Sequence, residues 1–247
     1  MVDAIDKIKD DFLRKRKDFF PIDLEKDELT RFLGFGLPRN SLLLMEGRDG
    51  SGKSVISQRF CYSFLKEEVS VSYISSELNT VSFIEQMDSL SYDIKEHILD
   101  GKLLFIPVFP IFGNVVFNES FVEDLIANEK IFSSDVIIFD TFSFIFVNEN
   151  FPIAKWMSMI KVFKHFASKG KLIIISIDPE HLPKEYLTVV RSLCDIYFEL
   201  LIKAIAGETV RVIDIKRFKR PAGPFTPVIP FRIVPGHGLI IEIATLE

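Results

Sequence analysis

A chain of 247 residues that is 48% hydrophobic and 26% charged can bury a sizeable core and sits near the upper size for one domain. Twelve glycines and twelve prolines are too few for a low-complexity or fibrous protein, and no repeat of solenoid or propeller period recurs. The formal charge of −5 disfavours a long duplex-binding surface, because nucleic-acid affinity comes largely from Lys and Arg displacing counterions.

The first twenty residues, MVDAIDKIKDDFLRKRKDFF, alternate charges with isolated apolar positions and lack the apolar centre and cleavage site of a signal peptide. They read as a charged helix or arm, 1–20, with a boundary near Pro21 ahead of a single domain, 21–247. The apolar runs at 103–117 and 136–147 are broken by Pro, Gly, Asn or Asp and are too short to cross a bilayer. The expectation is a cytoplasmic protein without membrane insertion. Cys61 and Cys194 lack the paired spacing of a zinc or redox motif and read as core residues of a reducing compartment. Twenty-five Phe are unusual, and some are expected to face a partner.

From Ser41 the chain alternates apolar runs with longer helical patterns, which predicts βαβ units and a doubly wound, mostly parallel α/β sheet. Strands are expected at 41–47, 69–75, 103–109, 135–140 and 171–177, and their near-continuous apolar character predicts that both faces are covered. Ile56, Phe60 and Phe64 fall on one helical face, and Phe83, Ile84, Met87 and Leu90 on another. After about residue 195 the segments IYFELLIKAI, TVRVIDIKRF, PVIPFRIV and LIIEIA predict antiparallel C-terminal strands closing one edge.

GRDGSGKS at 47–54 matches GxxxxGK(S/T) in full and lies between a predicted buried strand and an amphipathic helix, the context the phosphate loop requires. Its glycines let successive backbone N–H groups turn onto phosphates, and the helix start adds its positive dipole end. Gly47, Asp49, Gly50, Ser51, Gly52, Lys53, Ser54 and Val55 are therefore expected to hold a nucleoside triphosphate, with Lys53 on the β- and γ-phosphates and the Ser54 hydroxyl on Mg²⁺. Asp140, ending VIIFD, sits where such sheets present ligand-binding residues and is read as the second group for the magnesium shell; a strand-end cap is the structural alternative. Glu77 follows a strand and precedes Asn79, a cap for the next helix; it either activates the attacking water or is an ordinary loop carboxylate. Ser176 and Asp178 either sense the γ-phosphate or make the turn before Pro179. Lys216, Arg217, Lys219 and Arg220 are a solvated hairpin end, a nucleic-acid patch, or cations reaching a neighbouring subunit's nucleotide. His97, His165, His181 and His237 have no metal spacing and receive no role.

ELTRFLGFGLPRNSLLLMEGRDGSGKS resembles the entry of the KaiC branch of the RecA superfamily. SSELNTVSFIEQMDSLSYDI, LLFIPVF and SIDPEHL are similar to the archaellum accessory family FlaH, also called ArlH. The resemblance runs from about residue 21 to the C-terminus. It implies a RecA-like P-loop NTPase core and an ATP-binding component of the archaeal motility motor, peripheral to the membrane. The implied partners are the motor ATPase FlaI, the membrane protein FlaJ and a scaffold ring, and the implied assembly is a homo-oligomer on the model of hexameric KaiC rings. KaiC relatives typically carry an acidic pair or a clear Glu at the water-activating position. Here Ser76 precedes a single Glu77, so slow hydrolysis or none is expected. A RecA- or RadA-like DNA-dependent ATPase, or a clock-type ATPase, is the alternative. Against the DNA reading, TFSFIFVNENFP has no Lys or Arg, and DPEHLPKEYL carries more acid than base. No nucleic-acid partner is expected.

Overall fold

The computed structural model describes residues 17–25, 27–108, 128–143, 152–205 and 208–242. The expectations for residues 1–16 and for most of TFSFIFVNENFP lie outside them. Beside a two-stranded ribbon of β1 (Phe19–Phe20) and β2 (Leu37–Pro38), one nine-stranded sheet organises the molecule. Its strands are β3 (Ser41–Gly47), β4 (Val71–Ser75), β5 (Leu103–Pro107), β6 (Val136–Asp140), β7 (Leu172–Ile177), β8 (Ile196–Ile205), β9 (Glu208–Phe218), β10 (Val228–Val234) and β11 (Gly238–Ile241), in spatial order β11-β10-β9-β8-β3-β7-β6-β4-β5. From β8 to β5 all neighbours are parallel. The C-terminal strands β8 to β11 are joined antiparallel. One detail departs from the sequence reading: IYFELLIKAI, expected within the antiparallel set, pairs parallel with β3 on one side and antiparallel with β9 on the other. It is the seam between the two halves.

Alternation along the central strands divides the core, because successive side chains point to opposite faces. Leu43 and Met45 go to one face with Tyr73, Ile138 and Ile174, covered by Phe60 and Phe64 of α2 (Lys53–Lys66) and Phe83 and Met87 of α3 (Thr80–Ser89). Leu42 and Leu44 go to the other with Ile137, Phe139, Ile173 and Ile175. There they meet Trp156, Ile160 and Phe163 of α5 (Ile153–Ala167) and Val190 of α6 (Lys184–Leu193). The short α1 (Leu29–Phe32) and α4 (Lys95–Leu99) lie on connections. Helix α5 fills the crossover that the βαβ spacing between β6 and β7 admits, whereas α6, between β7 and β8, has no counterpart among the sequence expectations.

Phe20, the residue immediately before Pro21 at the hydrophobic end of the charged arm, is fully buried and packs edge-on against Phe64. The segment from Ile22 to Thr30 is clamped onto α2 by Arg59, which donates to the Ile22 carbonyl at 2.7 Å and pairs with Asp27 at 2.7 Å; neither charged side chain reaches solvent. Cys61 and Cys194 are both free thiols in the core.

Candidate nucleotide-binding site

β3 delivers its last residue, Gly47, to the carboxyl edge of the sheet, and the loop from there to Gly52 leads into α2. Close packing demands glycine at the loop's start: a Cβ on Gly47 would lie 2.8 Å from the Leu200 carbonyl oxygen. At Gly52 the requirement is conformational, with φ of +96°. Helix α2 begins at Lys53 without a side-chain cap, leaving its first amides for another acceptor. Ser51 is buried, and its Oγ has no hydrogen-bond partner among the described residues. Below the loop, Glu46 accepts hydrogen bonds from Arg191 Nε at 2.8 Å and Tyr197 OH at 2.9 Å, tying the loop's root to α6 and β8.

Lys53 is buried, and its Nζ donates to the carbonyls of Gly47 at 2.8 Å and Arg48 at 3.0 Å. Ser54 donates to Asp140 Oδ1 at 3.2 Å. That contact joins the phosphate loop to the end of β6 although β7 lies between β3 and β6, and the intervening strand takes part: Ser176 Oγ donates to the same oxygen at 3.0 Å. Tyr73 OH donates to the other carboxylate oxygen at 2.8 Å. Asp140 is itself buried, and burial pushes its carboxyl above the ordinary value against the pull of these three donors and the Lys53 charge. Tyr73 was missed by sequence reasoning; its signal was a phenol inside the otherwise apolar or small-residue run VSYIS.

After Asp140 the backbone turns sharply. Thr141 has φ of +51°, rare for a β-branched residue, and is held by its N–H to Ser176 Oγ at 2.6 Å and by Ser76 Oγ to its carbonyl at 2.9 Å. Ser76 thus connects the end of β4, with Glu77 next to it, to the end of β6. The Glu77 side chain is exposed, yet partial loss of hydration and then the Asp140 charge hold its carboxyl above its usual range, with a Thr141 hydrogen bond and Lys53 opposing. Asn79 caps α3, its side chain accepting from Ser82 N–H at 2.9 Å.

The other sequence candidates fall into two groups. Asp49 caps its own loop by accepting from Gly50 N–H at 2.8 Å, and Val55 is buried in the first turn of α2. Asp178 lies 3.8 Å from Lys53 Nζ, at the same cleft. Arg217, Lys219 and Arg220 lie elsewhere, because Phe218 pairs with Ile196 at the start of β8, the end of the sheet opposite the phosphate loop; Lys216 instead reaches Glu199 at 3.0 Å, the register partner of Glu46 just before that loop. Each already has partners: Lys216 with Asp214 at 2.8 Å, Arg217 with the Cys194 carbonyl at 3.1 Å, Lys219 with Asp195 at 3.3 Å, and Arg220 with the Asn40 carbonyl at 2.9 Å. His181, given no role, is near Ser143, Nδ1 to Oγ 3.3 Å.

A glycine loop entering a helix, a lysine inside it, and a buried acid at the end of the next-but-one strand define a P-loop protein with a RecA-type sheet. The family model described as "ATPase: KaiC" matches residues 26–245. The archaeal flagellar ATP-binding protein FlaH of Methanocaldococcus jannaschii is 33% identical over 91% of this chain and 96% of its own; its counterpart in Sulfolobus acidocaldarius is 28% identical over 90% and 96%. The crystal structure of the flagellar accessory protein FlaH from M. jannaschii superposes with a TM-score of 0.86 at 32% identity, covering 92% of this chain and all of that one. A KaiC-like protein of Pyrococcus horikoshii, 16% identical, shares the fold with a TM-score of 0.69 over 87% of this chain and 95% of its own. The chain belongs to the FlaH family of KaiC-type ATPases.

Proposed function

We propose that this chain binds ATP with Mg²⁺ at Gly47–Val55 and Asp140 and acts as a nucleotide-controlled assembly component of the archaeal motility motor. The observation that carries the site is the contact between Ser54 Oγ and the buried Asp140 carboxylate. Two hard oxygen donors adjoin there beside the loop, and a buried acid whose charge is disfavoured is suited to receive a cation. Ser54 and Asp140 would hold the metal, which supplies neutralisation of the phosphate oxygens; Lys53 and the first amides of α2 bind the tail. The motor role is supported by the relatives, which are named archaeal flagellar ATP-binding proteins. FlaI, FlaJ and a scaffold ring are the proposed partners, in a homo-oligomer at the cytoplasmic side of the membrane. Among the described residues no helix is long and apolar enough to cross it. Residues 21–247 are proposed as one domain.

Nucleotide state would act through the loops after Asp140 and Glu77. A ligand shifts such an equilibrium only by its differential affinity, so ATP and ADP must differ by about 1.4 kcal/mol for each tenfold change in partner binding. Titration calorimetry tests the site: Lys53→Ala and Ser54→Ala are expected to weaken MgATP binding, and Asp140→Asn chiefly to remove its magnesium dependence. Affinity for the motor ATPase that is the same with ATP, ADP and no nucleotide would sink the switch while leaving the site intact.

A further inference from the structure

The cations of this phosphate loop already have carboxylates against them. Lys53 Nζ spends two of its three donors on the Gly47 and Arg48 carbonyls, and Asp178 Oδ2 lies 3.8 Å away, with the lysine side chain 7% and the aspartate side chain 6% exposed. Asp178 is not free to swing: its Oδ1 accepts from Glu180 N–H at 2.9 Å, and its own N–H donates to Ser143 Oγ at 2.9 Å. The turn it caps, Pro179–His181, carries a second acid, since Glu180 pairs with Arg48 of the phosphate loop at 3.1 Å. One turn therefore lays two carboxylates on both cations of the loop, much as a phosphorylated ligand would.

A phosphate that takes Lys53 must enter space next to the Asp178 carboxylate. Both groups are negative, and at a site this buried little water screens them, so the repulsion grows with each charge the tail brings. A diphosphate brings fewer charges than a triphosphate. We propose that Asp178 is a charge-discriminating residue of the nucleotide site: it lowers affinity for the triphosphate relative to the diphosphate, and the triphosphate seats fully only when the turn 178–181 withdraws from Lys53 and Arg48. This inference rests on the nucleotide-binding reading above and adds the residue that sets which nucleotide the site prefers.

The test compares affinities for MgATP and MgADP by calorimetry on the full chain and on Asp178→Asn, which keeps an oxygen to cap the turn but removes the charge. Asp178→Ser retains a capping oxygen in another shape and guards against a folding defect in the first variant. Both are expected to strengthen MgATP binding by about tenfold more than MgADP binding, since one unit charge next to the tail is removed. Glu180→Gln, which loses only an exposed ion pair, is expected to move the ratio by less than about threefold. Folded variants that shift both nucleotides equally, or that weaken MgATP, would overturn the inference while leaving the site reading standing. Wild-type protein that binds neither nucleotide would overturn both.

Discussion

Asp140 accepts three hydrogen bonds in a place where its charge is poorly solvated, and the balance of the two sets its chemistry. In the proposed magnesium site the metal requires the carboxylate, and since the folded carboxyl holds its proton above the ordinary value, protons would compete with Mg²⁺ at higher pH than at an ordinary Asp. The magnesium-dependent part of ATP affinity is expected to weaken as pH falls, beginning above the usual Asp value of about 4. Asp140→Asn should show no such slope in calorimetry across the same range. Glu77, with its carboxyl raised by partial loss of hydration and by Asp140, is a better proton acceptor than a fully solvated loop glutamate. Glu77→Gln is expected to leave ATP affinity nearly intact and to abolish whatever turnover a phosphate-release assay detects; unchanged turnover would return Glu77 to the role of a loop residue.

Elements are held in register by buried charges as well as by apolar packing. Helix α2 carries Lys53 and Ser54 at its start and Arg59 in its second turn, and Arg59 fastens it to the Ile22–Thr30 segment through Asp27. Asp27→Ala would leave a guanidinium buried and unpaired, and is expected to cost about 3–5 kcal/mol in urea unfolding. Replacing both partners with apolar residues should cost much less. Asp195 plays the same part at the far end of the sheet. Burial acts to raise its carboxyl, but Lys164 at 2.7 Å, the Leu42 N–H at 3.1 Å and Lys219 at 3.3 Å outweigh it and hold the group below the ordinary value. A depressed carboxyl contributes stability above its unfolded value and loses it as pH falls through the folded one. Asp195→Asn is therefore expected to lose about 1–3 kcal/mol at neutral pH, with the gap to wild type closing below about pH 4.

For the molecule as a whole, a ligand bound only by the folded state adds to its stability. At free MgATP about a hundred times the dissociation constant the gain is about 2.7 kcal/mol, a rise in Tm of roughly 5–10 °C for a chain of this size. A thermal melt should show that rise for the wild type and lose it in Lys53→Ala. The phosphate loop leaves β3, which lies one strand from the seam at β8; it meets the parallel half through the Ser54–Asp140 contact and the antiparallel half through Arg211, which donates to the Gly50 carbonyl at 2.9 Å.

Local chemistry was enough to make part of this readable. GRDGSGKS names its own loop because the glycines, the lysine and the serine do their work within eight consecutive residues. The period-2 and period-3.6 patterns give strands and helices for the same reason, each pattern being the imprint of one face of a local element. Strand order, by contrast, is a matter of long-range pairing. Nothing in KLIIISI says that β7 inserts between β3 and β6, yet that insertion puts Ser176 on Asp140 and Asp178 beside Lys53. Nor does FKRP reveal that its cations end up at the opposite edge, each with partners within this chain. The sequence alone determined the loop and the kind of sheet that carries it, because those depend on neighbours along the chain. Which carboxylates crowd the loop, and which cations stay away from it, was decided only by tertiary structure, because those distances depend on how strands far apart in sequence pair.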